Sequence, residues 1–230
     1  MTAQTARATA RAELTRDILA SAAAQLAETG PAALSVRAVA RDLGMASSAV
    51  YRYFPSRDAL LTALLVDAFD DLGAAVEDAE ARVRRGDLRR RWRAAAHAVR
   101  DWAREHPHEY ALAYGSPVPG YAAPTDTVEP AMRAARVVLG VVADAQAAGR
   151  SPAAGPSRVA RGEKAALEPV ASLVDPPLSP AYAVRGLMAW SALLGHVSLE
   201  LFGHLHNGVL DYDEHFATLV DQLAADLGLR

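Results

Sequence analysis

The stretch SSAVYRYF at 47–54, followed by Pro55, Ser56 and Arg57, concentrates side chains suited to recognition at a surface. On a helix, Val50 and Phe54 lie four apart and turn inward with Ala49, while Ser47, Ser48, Tyr51 and Arg52 gather on another face. Tyr53 and Arg57 stand at the far end, where a hydroxyl and a guanidinium reach outward. The outward set consists of hydrogen-bond donors and flat rings, with no carboxylate among them. Such a face suits phosphates and base edges, which an anionic side chain would repel.

A helix this short does not persist alone in water, so neighbouring elements must hold it. Leu14, Ile18, Ala22 and Leu26 recur every four residues and predict one helix, ended by Gly30-Pro31. Ser35 caps a second, whose inner face is Val36, Val39, Ala40 and Leu43, and Gly44 closes it. Two short helices joined by a tight glycine turn form a helix-turn-helix, in which the second helix enters the major groove. Ser56 then caps a long helix to about Arg85, with Leu60, Leu61, Leu64, Leu65, Ala68, Phe69 and Leu72 as its apolar face.

Further helices are expected from Gly86-Asp87 to His106, over 109–114, over 127–148, over 180–204 and over 213–227. The stretch 149–164 has the small, polar composition of a mobile loop, and prolines punctuate the connector that follows. No strand pattern of period two and no internal repeat is found, so the chain is all-α. The organisation expected is a flexible arm at 1–9, a helix-turn-helix domain at 10–57 and a helical body at 58–230.

Composition narrows the function. The 230 residues carry a net charge of −3 and no cysteine. That removes disulfides, thiol redox sensing and cysteinate metal sites, and fits a cytoplasmic protein. No signal peptide and no membrane span is expected, because the longest apolar run, near 186–202, contains His196 and Glu200. Residues 1–57 hold seven arginines against four carboxylates, so the head carries +3 and the remainder −6. A basic head on an acidic body points to a polyanion met by the head alone.

Through SVRAVARDLGMASSAVYRYFPSRDALLTALL the chain resembles the TetR family of one-component transcriptional regulators. The resemblance implies groove contacts from Ser47, Ser48, Tyr51 and Arg52, and phosphate contacts from Ser35, Arg37, Tyr53 and Arg57. Ala46 stands where many members have a capping serine or threonine, so the helix is expected to start on Ser47, partly occupied as its cap. Downstream, HPHEYALAYGSPVPGYAAPTDT and AWSALLGHVSLELFGH resemble the WHG type of C-terminal domain. Leu194 stands in that type's histidine position, so no histidine role carries over.

The family resemblance implies a homodimer through the helices at 180–204 and 213–227, a near-palindromic double-stranded DNA operator and a small, largely apolar effector, with repression as the outcome. The nearly all-round apolarity of 180–204, with Gly186, Ala189, Ala192, Gly195 and Gly203, agrees with close helix approach in a dimer. Trp102, Tyr110, Tyr114, Met132, Met188, Trp190 and Phe202 lie where members bind effectors; they line a cavity or are plain core.

His196, Glu200 and His204 share a helix face at spacings of four, as zinc ligands do, but no fourth group is evident, and a polar seam in the dimer interface or a pocket wall explains them as well. His106 and His108 suit a helix end. No GxSxG, HExxH or phosphate-binding glycine loop occurs, so neither an enzyme nor a cofactor is expected. The competing reading is an all-α small-molecule-binding or enzymatic protein that does not bind DNA.

Overall fold

The computed structural model describes residues 3–153 and 159–229, which form helices and 3-10 turns and no strand. The all-α class is therefore the observed one. In chain order come α1 (Ala3–Thr29), α2 (Val36–Asp42), α3 (Ser47–Tyr51), α4 (Arg57–Ala81), α5 (Leu88–Glu105) and α6 (Pro107–Tyr114). They are followed by α7 (Val128–Ala147), α8 (Arg161–Ala166), α9 (Glu168–Ala171), α10 (Pro180–Leu201) and α11 (Tyr212–Asp226).

The chain divides into two compact units, Met1–Ala68 with His106–Val128, and Phe69–Glu105 with Glu129–Arg230. The first is larger than the 10–57 segment read from the sequence, because it includes the opening turns of α4 and the excursion at 106–128. Two local expectations are corrected. The arm at 1–9 is helical from Ala3, since no glycine or proline interrupts an alanine- and arginine-rich run up to Thr29. The loop at 149–164 contains the start of α8, and Ala153 is held at both backbone groups. Its N–H donates to Asp226 O at 2.9 Å and its carbonyl accepts from Arg185 Nη2 at 2.6 Å. The remainder of that expected loop, 154–158, lies outside the described residues.

In the first unit Ile18 and Ala22 of α1, Val36 and Val39 of α2, Val50 of α3 and Leu60, Leu61 and Leu64 of α4 form one buried cluster with Phe54 and Val118. Each short helix thus gains its order from apolar burial rather than from its own length. Asp87 caps α5 through the Arg90 N–H, and Ser56 caps α4 through the Ala59 N–H.

In the second unit α5, α10 and α11 pack pairwise. Trp92, Ala95, Ala96, Val99 and Ala103 form the buried stripe of α5, and the Trp92 indole N–H donates to Val220 O of α11 at 2.9 Å. Two arginines lie buried on this same helix. Arg91 is 2% exposed and meets Glu80 through Nε, Arg85 O through Nη1 at 3.1 Å and Asp144 Oδ2 at 2.7 Å. Its charge is neutralised from α4 and α7, so those helices are tied to α5.

Breaking a buried pair leaves an uncompensated charge, which costs far more than loss of a surface pair. Arg91→Ala is expected to lower unfolding stability by about 3 kcal/mol or more in urea titrations, by loss of this network. Arg136→Ala, whose partner Glu129 is 75% exposed, should change it by less than about 1 kcal/mol.

Candidate nucleic-acid interface

The turn between α2 and α3 is built around Gly44, whose φ of +64° is open to glycine at little cost. The Gly44 N–H donates to Arg41 O at 3.1 Å and the Met45 N–H to Ala40 O at 2.8 Å, the paired bonds of a Schellman cap. This closes α2 and releases the chain to restart as α3 at Ser47, with four residues between it and Asp42. The residue preceding α3 is Ala46, which offers no side-chain cap, and Ser47 is the first helical residue. The expectation that Ser47 serves as the cap is therefore corrected: its backbone is already helical.

Val50 is fully buried and Phe54 is 8% exposed, so α3 is anchored through one side. Ser48, Tyr51 and Arg52 are exposed and Ser47 is half-buried. The carboxylate of α2 nearest in sequence, Asp42, accepts a bond from Ser21 Oγ of α1 at 2.7 Å. The outward side of α3 thus combines hydroxyls, a phenol and a guanidinium.

The flanking residues are placed as follows. Arg37 is exposed on α2. Ser35 caps α2 by accepting from the Ala38 N–H at 3.4 Å, and its own N–H donates to Gln25 Oε1 at 2.8 Å. Because the Ser35 oxygen is the acceptor in that cap, its hydroxyl proton stays available for an anion. Tyr53 is half-buried, with the Arg11 guanidinium 5.0 Å from its ring centroid. Arg57 also has a structural contact. Its Nη2 donates to Pro31 O at 2.7 Å and Ala32 O at 3.3 Å, so it staples the start of α4 to the turn after α1.

The residues considered for an effector pocket fall in both units. Tyr110 is fully buried in the first unit with Tyr114 beside it, ring centroids 5.2 Å apart, and burial pushes the Tyr114 phenol well up. Trp102 is buried in the second unit and Met132 and Trp190 are half-buried. Met188 on α10 and Phe202 just past its end are 64% and 43% exposed. A groove of about 310 Å³ in the second unit is charged rather than apolar, with Glu77, Glu80, Arg85, Arg91, Arg133 and Arg136 around it. There the Arg133 guanidinium holds the Glu77 carboxyl below its ordinary range.

The His196, Glu200, His204 set does not assemble. α10 ends at Leu201, and Gly203, with φ +78°, turns the chain so that His204 is exposed while His196 and Glu200 are buried. Among the described residues no group of three potential ligands could hold a metal ion. Glu200 instead accepts two bonds from buried Arg100, both at 2.8 Å, and Arg100 also meets Asp213 at 2.7 Å. Sequence reading missed Arg91 and Arg100. The signal was present: Arg91 falls three residues after Leu88 on the apolar stripe of α5, a position where a charge must be paired.

Comparison with known proteins agrees with this geometry. Residues 18–64 match the family described as bacterial regulatory proteins, tetR family, and residues 92–223 match the tetracyclin repressor-like C-terminal domain. The HTH-type transcriptional regulator Rv1816 of Mycobacterium tuberculosis is 42% identical over 208 residues, covering 86% of this chain and 84% of the relative. Among solved structures, the regulatory protein SCO4313 is similar at TM-score 0.75 and 32% identity, covering 97% of this chain and 98% of that one. PfmR from Thermus thermophilus, a TetR family transcriptional regulator, shares the fold at TM-score 0.58 and 19% identity, covering 93% and 98%.

Burial holds His196 below its ordinary value of 6.5, His215 adds to this and Glu200 opposes it. His97 is lowered as well, chiefly by burial. The folded state then binds fewer protons than the unfolded chain as acid is added. This stability is fully present above the unfolded value and is lost as pH falls below it. The thermal midpoint is expected to drop from about pH 7.5 to about pH 5.5, and His196→Gln should flatten that drop.

Proposed function

The chain belongs to the tetR family of bacterial regulatory proteins and is a DNA-binding transcriptional regulator; from that premise we propose that it is a homodimeric repressor of a near-palindromic operator, released by a small, largely apolar effector. The observation that carries the DNA reading is the division of α3, with Val50 buried beneath and Ser48, Tyr51 and Arg52 free above. Tyr51 and Arg52, with Ser47 and Ser48, read the major groove, where the guanidinium can meet two acceptors of a guanine at once. Ser35, Arg37 and Tyr53 contact phosphates. Arg57 acts chiefly by position, because its Nη2 is committed to the Pro31 and Ala32 carbonyls.

Dimerisation is supported by the outward side of α10. Ala181, Met188, Gly195 and Phe202 are exposed at intervals of seven, with Ser191 and Leu199 beside them. An apolar stripe interspersed with small residues is what a helix presents when a second copy packs against it. Two heads so joined would meet successive major-groove segments about 34 Å apart. The effector reading follows from the family resemblance, with Trp102, Met132 and Trp190 of the second unit as its candidate lining. Release is a shift of population: each factor of ten in preference for the non-binding state corresponds to about 1.4 kcal/mol.

Tyr51→Ala or Arg52→Ala should weaken binding to an operator duplex, selected from a random pool by the parent protein, by about ten- to a hundredfold with the dimer intact. Unchanged affinity would remove these residues from the reading face. Leu199→Glu with Phe202→Glu should yield folded monomer in sedimentation velocity; a persistent dimer would move the interface off α10.

A further inference from the structure

Residues 5–13 of α1 are all exposed, and the helix becomes half-buried only at Leu14 and buried at Ile18. Nine residues, roughly 14 Å of helix, therefore stand clear of the core they lead into. So short a free helix is marginal in water, which makes an ordering partner physically useful.

The identity of that partner is written in the stripe. Followed backwards from Ile18 through Leu14, the same side of the helix carries Arg11 and then Arg7, at spacings of four, three and four. Residues 3–12 contain these two arginines and no Asp or Glu. The side that is apolar where it meets the core is thus purely cationic where it leaves it. Its direction is established by contact, because the Arg11 guanidinium lies over the ring of Tyr53. Tyr53 follows Arg52, the C-terminal cap of α3, so the cationic stripe passes the end of the helix assigned to the groove. A guanidinium stacked on a ring keeps its in-plane N–H donors free, and those donors match phosphate oxygens.

We propose that this overhang is a further DNA contact, in which Arg7 and Arg11 bind backbone phosphates of the duplex beside the segment met by α3. The inference rests on the DNA-binding reading and extends it from the helix-turn-helix to the start of the chain. The contact carries no base information; it adds affinity, through counterion release, and orders the overhang.

The test uses the full-length protein and a mixed-sequence duplex of about 30 base pairs, with affinity followed by fluorescence anisotropy across a salt series. Removing one arginine–phosphate pair should flatten the dependence of log K on log salt by about 0.9; a dimer carries each arginine twice, so Arg7→Ala/Arg11→Ala should reduce the slope by about 3.6 and Arg7→Ala alone by about half of that. Arg7 lies one turn away from the Tyr53 contact, so its single variant separates phosphate binding from support of the ring. Arg11→Lys, which keeps the charge, should retain the parental slope. Amides of residues 5–13 should exchange more slowly when duplex is added to the parent and not when it is added to the double variant.

A parental slope in the folded double variant overturns this inference and leaves the α3 reading standing. Failure of the parent to bind any duplex overturns both. Protection of the overhang by polyglutamate but not by duplex would assign it to an acidic protein surface and overturn it too.

Discussion

A helix of five residues cannot maintain its own shape, so what α3 presents depends on the burial of Val50 and Phe54. Those two side chains join α3 to a core supplied by α1, α2 and α4, and the burial of one side leaves the other free of any structural task. Freedom from that task is what lets the outward side consist of hydroxyls and a guanidinium with no carboxylate among them. A carboxylate there would cost the fold nothing, yet it would repel a phosphate backbone. The face is therefore selected by chemistry, whereas the buried side is selected by packing.

The same division governs the residues around α3. Ser35 commits an oxygen lone pair to α2 and keeps its proton. Tyr53 supports Arg11 on its ring and keeps its hydroxyl outside that contact. Arg57 donates through Nη2 to the turn after α1, so the start of α4 is located by hydrogen bonds as well as by Leu60 and Leu61. A basic residue beside α3 thus serves position here, and the arginines at the exposed start of α1 supply charge on the same unit.

In the second unit, buried charge is the organising feature. Arg91 draws carboxylates from α4 and α7, while Arg100 draws Glu200 from α10 and Asp213 from α11. A buried guanidinium has few geometries that satisfy its donors, so these networks fix helix positions more narrowly than apolar contact does. The small residues of α10 divide between two tasks. A side chain at Gly186 would approach Leu139 Cδ2 to 2.7 Å, so that glycine serves packing against α7 of its own chain. Gly195 is exposed and lies on the stripe available to a second copy.

The all-α class, the helix-turn-helix and the outward set on α3 were legible in the residues because each depends on spacing within a few turns. Helical rise, a capping serine and a glycine at positive φ are local matters, and so was the split of charge between head and body. The unbroken start of α1 was legible too, in the absence of glycine and proline up to Thr29. Tertiary structure alone decided that Arg91 meets Asp144, 53 residues away, and Arg100 meets Glu200, 100 residues away, that Arg57 bonds the turn after α1, and that Met188 and Phe202 are exposed. Periodicity along a helix states which residues share a side. Which side meets the core, and which carboxylate meets a buried arginine, is decided only when distant helices pack and solvent is excluded.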